Sequence, residues 1–165
     1  MSEAWFTYEF AKDFQSAMVG IIGFGFVVGI QFLNAYLTRR ARRQAVCTAV
    51  LTELKLFRRA FEATTNSPPP DGTDTSTLGR LRRTVSVSLS ADLGLIPENA
   101  LYEVFDALMI IDEYERRLIL IADTTTEHHF FFSKENFFAA TEHASELIEQ
   151  DHPLSKAIAL LEPHV

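Results

Sequence analysis

Cysteine is nearly absent: Cys47 is the only one in 165 residues. A disulfide framework within the chain is thereby excluded, in keeping with a reducing compartment. The lone thiol reads first as a small buried hydrophobe. S-palmitoylation, the other reading near a membrane, would put the lipid ten residues past Leu37, about 15 Å along a helix and awkwardly far from the bilayer. Signatures of catalysis are missing as well. There is no Gly-rich phosphate loop after a strand, no G-x-S-x-G and no cysteine–histidine couple with an orienting group, so no catalytic residue is assigned and an enzyme is not expected. His128 and His129 invite a metal, with Glu127, Glu142 and His143 for company. Adjacent helical side chains point about 100° apart, however, and no HxxxH or CxxC spacing fixes a site. Neither a metal nor any other cofactor is expected.

Charge is missing from one stretch in particular. Residues 16–37, SAMVGIIGFGFVVGIQFLNAYL, contain no Asp, Glu, Lys or Arg, and Arg39, Arg40, Arg42 and Arg43 follow at once. A helix of that length is about 33 Å long, and the hydrocarbon core of a bilayer is about 30 Å thick. The stretch is therefore expected to be a single transmembrane helix. A signal peptide would have a shorter apolar region, basic residues before it and a cleavage site after it, none of which fits. Residues 1–15 carry Glu3, Glu9 and Asp13 against Lys12 alone. The positive-inside bias then places this tip outside the cell membrane and the C-terminal part in the cytoplasm. Trp5, Phe6, Tyr8, Phe10 and Phe14 make the tip an interfacial aromatic anchor.

Turning about 100° per residue puts Ser16, Gly20, Gly23, Gln31 and Asn34 in one sector of the span, with Gly25 and Gly29 on the opposite side as a GxxxG pair. Small residues allow close helix contact and amides can hydrogen-bond across helices, so both faces are candidates for helix association. The arginines after the span suit anionic headgroups of the cytoplasmic leaflet.

The net charge of −7 conceals an asymmetry. Residues 38–83 hold ten Arg and Lys against four acids, whereas 84–165 hold four against fifteen. Juxtamembrane lipid attraction accounts for the basic part without nucleic acid, which is not expected as a partner.

Residues 38–165 are enough for one compact domain. Val46, Val50, Leu54, Phe57 and Phe61 recur at helical spacing, so an amphipathic helix is expected to continue the span. Residues 66–77, with Pro68, Pro69, Pro70 and Gly72, read as a flexible linker. Between 78 and 96 a helical pattern competes with strand-like alternation at 84–90, and the longer helical pattern prevails. A helix over 97–122 is expected to turn Leu101, Val104, Phe105, Leu108, Ile111 and Leu118 inward, with Asp112–Arg116 and Glu113–Arg117 as outward pairs. Phe130, Phe131 and Phe132 either dock a polar connector into the bundle or form an exposed patch for a partner. Ser133 reads as the N-cap of a helix over 134–150 that turns Phe137, Phe138, Thr141, Ala144, Leu147 and Ile148 inward. A last helix starts at Pro153 and stops at Pro163.

The expected fold is all-α, an N-terminal transmembrane helix continuing into a small cytoplasmic helical bundle. The expected function is that of a single-pass membrane protein that works by association, as an accessory subunit, a scaffold or a homo-oligomer. The alternative is a signalling element that passes a change of helix packing to the bundle. The bilayer and either a protein partner or a second copy are the partners implied.

Overall fold

A computed structural model describes residues 3–71 and 75–165, with side chains from Phe24 onward. One helix, α1 (Glu3–Thr65), takes in the apolar stretch, the arginines and the amphipathic segment. No proline or glycine occurs between Gly29 and Pro68, so nothing in the sequence interrupts the i→i−4 ladder there. The helix closes with Asn66 N–H donating to the Glu62 carbonyl at 3.1 Å, just before three prolines that cannot continue it. The chain divides into two compact units, Met1–Arg42 and Arg43–Val165.

In the second unit α1 is followed by β1 (Ser76–Gly79), a single helical turn α2 (Val85–Ser88) and a 3-10 segment (Ser90–Leu95). Then come α3 (Glu98–Ile121), β2 (Thr124–Thr125), β3 (His129–Phe132), α4 (Lys134–Leu147) and α5 (Pro153–Leu161), with a 3-10 turn (Glu162–His164) after them. With 73% of it helical, the fold is mostly α. α3 lies at its centre, packing on α4, α5 and β3.

The small antiparallel sheet was not expected from the sequence. Its order is β1-β3-β2, with Leu78 opposite Phe130 and Thr125 opposite Phe130 on the other side. Strand pairing here is non-local, joining the end of the expected linker to a segment about fifty residues later, and a four-residue strand is too short to show periodicity. Two further expectations are corrected. The linker 66–77 is not solvated throughout, since Pro70 is buried and Ser76 and Thr77 belong to β1. The segment 78–96 is not one helix, because Leu78 and Gly79 are in the sheet and the helical part is broken into α2 and a 3-10 turn.

The core draws Val46, Val50, Leu54, Phe57 and Phe61 from α1, as their spacing implies, and Val104, Leu108, Ile111 and Leu118 from α3. Tyr114 joins them, its ring edge-on to Phe61 at 5.0 Å between centroids and its hydroxyl donating to the Ala140 carbonyl at 3.4 Å. Burial holds the Tyr114 phenol well above its ordinary pKa. Phe105 and Phe138, expected inside, are exposed, and Ala100, Ala107 and Ala140 take the places between helices.

Candidate functional site

Along Phe24–Leu37 the helix carries apolar residues on every side, and they are not covered: Phe24 and Phe32 are more than 70% exposed and Tyr36 63%. Gly25 and Gly29 are exposed, and a Cβ added to either meets nothing within 4 Å. Gln31 and Asn34 are exposed as well. Ser16, Gly20 and Gly23, the remaining members of the polar sector, lie outside the residues whose side chains are described, as does the tip at 1–15. Among the described residues no helix is long and apolar enough to cross a membrane. Residues 16–23, the first part of the expected span, lie outside the residues whose side chains are described, to which that statement applies. Arg39, Arg40, Arg42 and Arg43 are all exposed.

The expected aromatic patch at Phe130, Phe131 and Phe132 is corrected. Side chains alternate along β3, so Phe130 and Phe132 point together into the core with no exposed surface, and Phe131 on the opposite face is half-buried. The reading in which this segment docks into the domain is the one that holds.

Glu53 went unremarked in the sequence, yet it organises the start of α2. Its side chain is 5% exposed, and its carboxylate accepts from the backbone N–H groups of Thr84 (2.9 Å), Val85 (2.8 Å) and Ser86 (2.8 Å). The first N–H groups of a helix have no intrahelical partners, and a carboxylate from α1 satisfies three of them here. Only the pattern of Glu53 between the apolar positions Val50 and Leu54 could have flagged it, as an acid on the inner face of α1.

The opposed charges of the two halves meet inside the domain. Arg80 binds Glu115 through Nε (3.0 Å) and a terminal nitrogen (2.8 Å), with its guanidinium 5.3 Å from the centre of the Phe130 ring. Arg83 pairs with Asp112 at 2.5 Å, Arg82 reaches Glu127, and Lys55 pairs with Glu162 at 2.8 Å. The expected Glu113–Arg117 pair is present at 3.2 Å. The Asp112–Arg116 pair is not, because Arg83 takes Asp112.

Among the described residues, two clefts in the surface stand out. One, of about 320 Å³, lies between the end of α1, β1 and α3, with Ala60, Ala63, Leu78 and Leu118 among its walls. The other, of about 200 Å³, has Glu113, Arg117, His143, Glu146 and His152 around it. His152 caps α5, its Nδ1 accepting from Leu154 N–H at 3.4 Å, and burial lowers its pKa in spite of Glu149 and Glu146 nearby. Among the described residues no three of His, Cys, Asp and Glu are grouped to hold a metal ion. His128 and His129 are exposed with their rings edge-on, 6.5 Å apart. Cys47 is fully buried, and burial pushes its thiol up against the opposing effect of Arg43. A thiol kept protonated and covered is a poor nucleophile, which favours its packing role.

Ser133 precedes α4, but its hydroxyl does not cap the helix. Instead its N–H donates to the Asp123 carboxylate, which also accepts from Asn136 Nδ2 at 2.9 Å. These bonds hold the Asp123 carboxyl below its ordinary pKa. No protein-family model, curated protein or solved structure matches this chain.

Proposed function

We propose that the protein is a single-pass membrane protein whose C-terminal domain lies in the cytoplasm and which works by association, as an accessory subunit or scaffold of a membrane complex or as a homo-oligomer. The observation that carries this reading is the apolar surface of Phe24–Leu37, uncovered around the helix and followed by four exposed arginines. In water such a surface is costly, at about 25 cal/mol per Å² of apolar area, and in a bilayer it is at home. The charge-free sequence extends back to Ser16, giving the length a span requires. Gly25 and Gly29 offer a close helix contact, and the sector of Ser16, Gly20, Gly23, Gln31 and Asn34 a hydrogen-bonding one. Arg39, Arg40, Arg42 and Arg43 meet anionic lipid.

Two measurements test the reading. The protein should stay with the membrane pellet through alkaline carbonate washing, and release into the supernatant would overturn the span. In intact cells an impermeant maleimide should label Ser2→Cys but label Thr75→Cys only after permeabilisation. The opposite labelling would overturn the orientation, which rests on the arginines and the acidic tip.

A further inference from the structure

On the outer side of α3 the residues Tyr102, Phe105, Met109, Asp112, Arg116 and Ile119 follow one another at steps of three, four, three, four and three. That is the 3.5-residue repeat of a two-helix seam. Tyr102 is 70% exposed, Met109 68%, and Phe105 and Ile119 45% each, so the apolar members are uncovered although the helix already buries its other face in the core. A solvent-facing helix surface is ordinarily polar. Two charges on this side are also unused within the chain: among the described residues neither Arg116 nor Asp106 has an ion-pair partner.

We propose that this surface pairs antiparallel with the same surface of a second copy of the chain. The charge pattern selects both occupant and direction. In an antiparallel seam a position of one type meets one of the other type, which sets Tyr102 against Ile119 of the second copy, Phe105 against Arg116 and Met109 against Asp112. Each Arg116 then lies over a Phe105 ring and beside an Asp106 carboxylate, and the two-fold axis makes both contacts twice. Asp112 enters the seam already neutralised by Arg83. A parallel pair would instead stack Arg116 on Arg116, which like charges oppose. The inference rests on the association half of the proposed function and supplies its surface, but it does not depend on the membrane span.

The test uses the full chain in native membranes with a short bismaleimide, and the wild type, whose Cys47 is buried, as the control. Met109→Cys should cross-link to itself, since the two copies of residue 109 lie about 5 Å apart along the axes. Tyr102→Cys should not, being separated by about 25 Å. Arg116→Asp should lower the cross-linked fraction of Met109→Cys about tenfold at limiting expression, and adding Asp106→Arg should restore it. Cross-linking of Tyr102→Cys as strong as that of Met109→Cys would mean a parallel pair and overturn the proposal. Absence of the Met109→Cys product, or its attachment to a different protein, would overturn it too. Carbonate-resistant membrane attachment is measured on the same samples, so loss of the α3 contact is distinguished from loss of the span.

Discussion

Glu53 shows how a single side chain can set the geometry of a distant segment. A buried acid ordinarily costs stability, but here three N–H donors at the start of α2 satisfy it. Glu53→Ala would leave those donors buried or force α2 to open, and should cost about 2–4 kcal/mol, read as a lower thermal midpoint by circular dichroism. Glu53→Gln, which keeps the shape but not the charge, should lose less. Equal midpoints for Glu53→Ala and wild type would mean that water replaces the carboxylate without loss. Asp123 is different because it is exposed, and its effect appears through pH. Its folded pKa is depressed, so its contribution is present above the unfolded value of about 3.9 and is lost as pH falls through the lower folded value. Asp123→Asn should therefore remove part of the difference in thermal midpoint between pH 5 and pH 3. A variant whose acid dependence matches the wild type would show that Ser133 and Asn136 do not hold the carboxylate in solution.

Among the elements, β3 was the hardest to read and is among the most deeply packed. His129–Phe132 pairs on both sides, with β1 and with β2, and its two core phenylalanines are wholly covered. Phe130→Ala and Phe132→Ala should each cost about 3–5 kcal/mol, the range for removing a large ring from a packed core. Phe131→Ala, on the half-buried face, should cost clearly less. Thermal melts of the three variants check the order, and a Phe131→Ala midpoint below the other two would reverse the assignment of faces. α1 poses the opposite problem. Its pattern from Val46 to Phe61 is regular, and burial follows it position by position, whereas Phe24–Arg42, apart from the half-buried Val28, are exposed around the helix. One helix thus carries two kinds of surface, and the arginines mark the change.

At the scale of the whole molecule, charge has two uses. Arg80, Arg82 and Arg83 are spent on Glu115, Glu127 and Asp112, and Lys55 on Glu162, which joins the basic and acidic halves of the sequence within one domain. Such partly exposed pairs contribute about 0–1 kcal/mol each, so they guide register more than they add stability. The arginines at 39, 40, 42 and 43 sit next to the apolar stretch, and under the proposed function they set its orientation. Replacing all four by Gln should give mixed orientation, with part of the Thr75→Cys population labelled from outside. Unchanged labelling would show that orientation is set elsewhere.

The sequence by itself determined the helices whose patterns are long and local: the amphipathic part of α1, α3 within a residue of its expected ends, the start of α4, and α5 between Pro153 and Pro163. It determined the uncharged stretch and its arginine border as well, because both are properties of neighbouring residues. Only the tertiary structure decided the sheet, the inward turn of Phe130 and Phe132, the cap supplied by Glu53 and the choice of Arg83 over Arg116 for Asp112. Each of these depends on residues tens of positions apart, so no local period carries it, and a charged side chain has several partners within reach until the fold selects one. The exposed seam of α3 belongs to both: its 3.5-residue spacing is written in the chain, but that Phe105 faces outward was decided by the packing of alanines on the other side.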